Sequence, residues 1–268
     1  MKTTKTHDMV KDSYARMIKG AQQQSAAGTS SPVASLAENY GTPAHGEAAD
    51  ASFGCGNPLA FSGVKPGDTV LDLGSGAGLD LLIAAEKVGP SGRVIGVDMT
   101  EEMIAAARRN ADGSQHDNIH LQLGVIEDLP LDDASVDWVI SNCVINLSPQ
   151  KDRVFSEMYR VLKPGGQFSI SDIVLDTLPD ALRKSAAAWS ACIAGAITEQ
   201  EYIQGLRDAG LVDVAVTERL VYDAGQLRAI LAEEIPGLDL KGIDITGLLE
   251  KHPGVAWSAK FTGRKENA

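Results

Sequence analysis

Between residues 65 and 175 the chain alternates short apolar runs with segments of helical period, and turn residues separate them. Few folds accommodate that texture. The run DTVLDL (68–73) ends at glycines and predicts a buried strand; LDLLIAAEKVG (79–89) has helical spacing and a glycine stop. RVIGVDM (93–99) predicts a second strand, and TEEMIAAARRNA (100–111) a helix with Thr100 at its N-cap and acids in its first turn. Further strands are expected at IHLQLGV (119–125), SVDWVIS (135–141) and QFSISDIV (167–174). KDRVFSEMYRVL (151–162) puts Val154, Phe155, Met158, Val161 and Leu162 on one helical face and stops at Lys163-Pro164-Gly165-Gly166. Strands that alternate with helices imply right-handed crossovers and a parallel, doubly wound α/β sheet. Ligands of such sheets sit beyond the carboxyl ends of the strands, at the topological switch point.

The flanks read differently. Residues 1–24 suit a polar helix with Tyr14, Met17 and Ile18 on one side, and 25–52, rich in Ala, Gly, Ser and Pro, suit a loop or lid. Beyond residue 178 the pattern is helical and Ala-rich to about 210; strand-like runs at 211–222 and 255–264 then flank a helix near 224–233. This last third is expected to complete the sheet, cover the site, or both. The chain thus divides into an N-terminal segment and lid (1–64), a central domain (65–178) and a C-terminal covering region (179–268).

Charge and hydropathy exclude other classes. The net charge of −12, with no local basic stripe, argues against nucleic acid as a partner. No apolar stretch approaches the ~18 residues of a membrane span, and the polar start lacks the apolar core of a signal peptide, so the cytoplasm is the expected compartment.

The string VLDLGSGAG (70–78) is the most informative. Gly74, Gly76 and Gly78 let backbone turn tightly from strand to helix beside a ligand. Asp72 precedes the first glycine, and Asp98 ends the next strand, placed to accept hydrogen bonds from both hydroxyls of a ribose. A dinucleotide site is the competing reading, but a carboxylate at Asp72 sits badly beside a pyrophosphate. It suits a cation, an amino group or a sulfonium, and S-adenosylmethionine carries both. Ile126 and Glu127 follow the third strand, where an adenine edge would lie, and Asn142 ends the fourth, beneath a reacting methyl group. LDLGSGAG, GVDM, EDLP, DWVISN and RVLKPGG together resemble the class I S-adenosylmethionine methyltransferases over about residues 65–175. That resemblance implies a Rossmann-like fold in which Asp72, Gly74, Ser75, Gly76, Asp98, Met99, Ile126, Glu127 and Asn142 bind the cofactor.

Three cysteines, Cys55, Cys143 and Cys192, lack the spacing of a zinc finger, and their number alone suggests three free thiols buried as small hydrophobes. On the expected fold, however, Cys143 follows Asn142 at a strand end, Cys55 precedes the first strand between two glycines, and Cys192 lies on the segment expected to cap the site. Three convergent thiolates make a poor zinc site, since zinc takes four ligands. They suit pyramidal trivalent arsenic, whose remaining lone pair is a nucleophile toward an in-line methyl group.

SFGCGNP, SNCVINLSPQKDRVF and CIAGAI resemble the arsenite methyltransferases, over about residues 38–220. The resemblance implies that Cys55, Cys143 and Cys192 bind arsenic, that the substrate is arsenite or its glutathione complex, and that thioredoxin or glutathione is the reductant. Detoxification by a monomeric, cytoplasmic enzyme is the expected role. One departure stands out. Many members carry a further cysteine upstream of GCGNP that pairs with the cysteine of that motif, and residues 1–54 contain none. Any redox cycle must then use a pair from the trio, or an external thiol. Two other classes remain in view: a methyltransferase for a small organic acceptor, and a metalloid sensor on a degenerate methyltransferase fold. The former needs no thiols, and the latter needs neither Asp72 nor Asp98. Bland readings suffice for His45 and Trp189, and His7, His116, His120 and His252 show no ligand spacing.

Overall fold

A computed structural model describes residues 3–26, 63–175, 195–221 and 256–267. Cys55, Cys192, His45, Trp189, His252, the lid at 27–52, the helix near 224–233 and the Ala-rich stretch up to 194 lie outside the described residues. The elements are α1 (Thr3–Ala26), β1 (Thr69–Leu73), α2 (Leu79–Val88), β2 (Arg93–Asp98), α3 (Glu101–Asp112), β3 (Ile119–Leu123), β4 (Val136–Asn142), α4 (Lys151–Val161), β5 (Leu162–Leu175), α5 (Glu199–Asp208), β6 (Leu211–Val221) and β7 (Ala256–Lys265).

The strands form one seven-stranded sheet in the order β3-β2-β1-β4-β5-β7-β6. β1 pairs in parallel with both β2 and β4, and β2–β3 and β4–β5 are parallel too. β7 runs antiparallel to both β5 and β6, so the all-parallel expectation holds for five strands and fails at β7. β6 and β7 thereby extend the sheet. The order reverses between β1 and β4, and the carboxyl ends of these strands open onto a cleft.

Burial follows strand position. Leu71, Leu73, Val139 and Ile140 on the central strands β1 and β4 are fully buried, whereas β3, at the sheet's edge, is only half-covered. Tyr202 stacks on Phe261 at 4.2 Å between ring centroids and meets Phe155 at 5.3 Å, which joins α5 to β7 and α4. One helix start differs from expectation in its chemistry. Thr100 stands at the N-cap of α3 but caps no backbone N–H; its hydroxyl is turned to the Asp98 carboxylate instead. Within the stretch read as helical to about 210, α5 starts at Glu199, where Thr198 and Glu201 form a reciprocal capping box. Among the described residues no helix is long and apolar enough to cross a membrane.

Candidate active site

The glycine turn begins where β1 ends. The N–H groups of Gly74 and Ser75 both donate to the Val97 carbonyl on β2, at 2.7 and 3.1 Å, which folds the turn back over the neighbouring strand. Gly74 has a φ of +69°, and a β-carbon there would lie 2.4 Å from Val144 Cγ1. Only glycine fits that position, on both conformational and steric grounds.

The turn roofs a cleft of about 940 Å³, its open mouth included, and all nine residues assigned to the cofactor by resemblance line it. Cys143 lines it as well. Asp72 is almost wholly buried, and its Oδ2 has no hydrogen-bond partner. Burial raises its carboxyl well above the usual range, and the nearby Asp80 and then Asp98 raise it further. Asp80, in the first turn of α2, is pushed up to about 7 by burial against the opposing hydrogen bond of Asn142. Asn142 Nδ2 donates to Asp80 Oδ2 at 3.3 Å, while Asp80 Oδ1 is buried and unpartnered. Two buried carboxylates with orphaned oxygens, side by side, select a cation.

Asp98 closes β2. Its Oδ2 accepts from the Gly76 N–H at 3.0 Å and its Oδ1 from the Thr100 N–H at 2.8 Å. With the Thr100 hydroxyl these make three donors, which leaves the carboxylate about one acceptor direction for another. Burial raises this carboxyl too, opposed by those hydrogen bonds and by the charge of Lys11.

α1 forms a wall that the sequence reading left out. His7, Val10 and Tyr14 line the cleft, and Tyr14 and Ile18 pack with Ala77, Met103 and Ala106; the side chain of Met17 is not among those described. His7 Nε2 hydrogen-bonds Glu127 Oε1 at 2.9 Å, and Ser148 Oγ donates to the same oxygen. Glu127 therefore braces α1 against the turn after β4. The signal for α1 lay in the spacing of His7, Val10, Tyr14 and Ile18, one face of a helix. Asp80 was missed because an acid in a first helical turn reads as an ordinary dipole partner.

Cys143 takes a φ of +56°, uncommon for a residue bearing a β-carbon. It is disulfide-bonded, which corrects the count-based expectation of three free thiols and means that its sulfur binds no ion until reduced. No group of three or more His, Cys, Asp or Glu among the described residues is arranged to hold a metal ion. The other two members of the expected trio lie outside them.

The family model described as "Methyltransferase domain" matches residues 64–210, more than half of the chain. The arsenite methyltransferase of Halobacterium salinarum is 49% identical over 174 residues, 65% of this chain and 44% of that relative. The arsenite methyltransferase of Aquipseudomonas alcaligenes is 36% identical over 222 residues, 79% of this chain and 64% of the relative. The chain thus spans roughly half to two thirds of the length of these relatives. A solved structure, that of an arsenic(III) S-adenosylmethionine methyltransferase from Chlamydomonas reinhardtii, superposes with a TM-score of 0.64 at 34% identity, covering 89% of this chain and 74% of that one.

Proposed function

Because this chain belongs to the methyltransferase-domain family and, within it, to the arsenite methyltransferases, we propose that it moves methyl groups from S-adenosylmethionine to trivalent arsenic held by Cys55, Cys143 and Cys192. The observation that carries this reading is the cleft itself, where orphaned buried carboxylates and a cysteine line one wall-to-wall space.

The carboxylates fit the cofactor. Asp72 Oδ2 and Asp80 Oδ1 are buried acceptors without donors, which the amino group of S-adenosylmethionine would supply. Asp98 keeps acceptor capacity for a ribose hydroxyl, and would accept from the second in place of the Thr100 hydroxyl; the backbone of Gly74, Ser75 and Gly76 would lie close to the ligand. Met99, Ile126 and Glu127 line the side where the adenine would rest, and Asn142 the floor below the methyl group. When bound, the cofactor supplies a methyl group activated by its sulfonium.

The chain's own work is position and electrons. Three thiolates hold arsenite, or arsenite delivered as its glutathione complex, with its lone pair free. Methyl transfer formally raises arsenic from the trivalent to the pentavalent state. Two thiols can return those two electrons by closing a disulfide, which an external thiol such as thioredoxin or glutathione then reduces. The disulfide at Cys143 supports this, since that residue is a ligand in one half of the cycle and an electron donor in the other. Domain roles follow: 65–178 binds the cofactor, while 1–64 and 179–268 supply Cys55 and Cys192 and cover the substrate.

The test is to incubate the chain with arsenite, glutathione and methyl-labelled cofactor and to identify labelled arsenicals by mass. Labelled methyl- and dimethylarsenicals are expected. Cofactor binding without any methylated arsenic would turn the reading toward a small organic acceptor or a metalloid sensor.

A further inference from the structure

The stretch that carries Cys143 is fastened from beneath. After β4 the chain passes through Cys143 and Val144 into one turn of 3-10 helix, Ile145–Leu147. Three hydrogen bonds tie it to consecutive residues of β5. The Cys143 N–H donates to the Ser171 carbonyl at 2.8 Å. The Asn146 N–H donates to Asp172 Oδ2 at 3.0 Å, and the Asn146 side-chain amide donates to the Ile173 carbonyl at 2.6 Å. Asp172 has no solvent exposure. Its carboxylate also accepts from the Tyr202 hydroxyl at 3.2 Å and from the Ile173 N–H at 3.0 Å. Lys151 Nζ closes the outer side, donating to the carbonyls of Asn146 and Ser148 at 3.3 and 3.0 Å. Gly195, three residues after Cys192 in the chain, abuts the same turn so closely that a β-carbon there would lie 2.0 Å from the Asn146 oxygen.

Burying a carboxylate is costly unless its hydrogen bonds outweigh the loss of water. Asp172 sits in the aromatic core beside Tyr202, where an apolar side chain would pack without that cost. What the acid does there is accept from the turn, from α5 and from its own strand together. The left-handed backbone of Cys143 needs restraint from outside; its own N–H is held by Ser171, and the turn it enters is held by Asp172 through Asn146.

We propose that Asp172 is a positioning residue that, through Asn146, holds the Cys143 turn on β5 and so fixes where the Cys143 sulfur meets the cleft. Asp172 does not itself line the cleft. The proposal rests on Cys143 being an arsenic ligand and names what places it.

The test begins with a chain in which Cys55→Ser and Cys192→Ser leave Cys143 as its single thiol. The rate of alkylation of Cys143 by iodoacetamide is measured beside the affinity for S-adenosylmethionine. Asp172→Ala is expected to speed alkylation by about tenfold or more, as the 4%-exposed cysteine is released from its restraint, with cofactor affinity kept within about twofold. Asp172→Asn keeps the volume but cannot accept from all three donors, so a smaller increase is expected; should the alanine variant fail to fold, the asparagine variant decides. In the three-cysteine enzyme, Asp172→Asn should lower kcat while leaving KM for the cofactor unchanged. An unchanged alkylation rate in a folded variant overturns the proposal, as does a rise matched by an equal loss of cofactor affinity. The alkylation arm uses no arsenic. A parent chain that methylates no arsenical therefore defeats the functional reading, while alkylation alone still decides the role of Asp172.

Discussion

At the carboxyl ends of β1 and β2 the cleft is made mainly by a backbone turn and by acids on the two strands and in the first turn of α2. At the carboxyl end of β4 it is lined by Cys143 and its neighbours, and that turn is backed by bonds that reach across 26 to 30 residues of sequence, from Asp172 to Asn146 and Tyr202. The first half presents buried carboxyl groups that a bound cation would ionise; the second presents a cysteine in a restrained conformation. A group-transfer site needs both, one half to seat the donor and the other to aim the acceptor. The halves touch where Gly74 packs against Val144.

Substitutions should separate the halves. The largest effect is expected from Cys143→Ser, which on the proposed reading removes a soft ligand that a hydroxyl cannot replace. Methylation of every arsenical should be lost while cofactor affinity stays near that of the parent, as read by titration. Asp98→Ala should do the reverse, losing one or two charge-assisted hydrogen bonds of about 1.5–3 kcal/mol each, or about 10- to 150-fold in cofactor affinity per bond. Arsenite binding should persist in that variant. Loss of both functions in either variant would show that the halves are not separable.

Gly74→Ala tests the contact between them. An alanine held at φ +69° is strained by about 1–2 kcal/mol, which predicts a loss of about 5- to 30-fold in cofactor affinity. Its β-carbon also displaces Val144 and should slow methylation further. Adding Val144→Ala should recover that second loss and leave the first, a pattern that kcat and cofactor affinity measured together would reveal.

The smallest effect concerns pH. Asp80 is raised to about 7 by burial, so in the absence of cofactor it favours the folded state below about pH 4 and loses that contribution as pH rises through about 7. Asp172, also raised to about 7 by burial, acts in the same direction. A bound cation favours the ionised carboxylate, so cofactor affinity should rise by about tenfold between pH 6 and pH 8, with proton release on binding. Calorimetry in buffers of different ionisation enthalpy checks this. Affinity that falls over the same interval would remove Asp80 from the cation site.

The two halves also differ in how far the sequence reveals them. β1, α2, β2 and α3 were legible because periodicity, caps and glycines are local signals; most of their boundaries fall within a residue or two of expectation. Asp72, Asp98 and the glycines were found for the same reason. The His7–Glu127 contact spans 120 residues and leaves no local mark. Nor does Asp172, whose partners lie on α5 and in the turn after β4. Strands at 211–221 and 256–265 were readable as strands, but the reversal of β7 depends on how the chain returns to the sheet, which periodicity does not encode. Cys143 was found by its position next to Asn142; its left-handed backbone was not, because its restraints, the Ser171 carbonyl and a disulfide, are distant in sequence.

A single-turnover reaction tests most directly whether one cleft unites a cofactor seat with a redox-active arsenic ligand. Fully reduced chain is mixed with one equivalent of arsenite and excess S-adenosylmethionine, without any other thiol. Methylated arsenic is counted per chain, and the cysteines are mapped by peptide mass. About one methyl transfer per chain is predicted, with Cys143 recovered in a disulfide and turnover resuming when glutathione or thioredoxin is added. Repeated turnover without added thiol, or methylated arsenic beside a Cys143 recovered as free thiol, would contradict it.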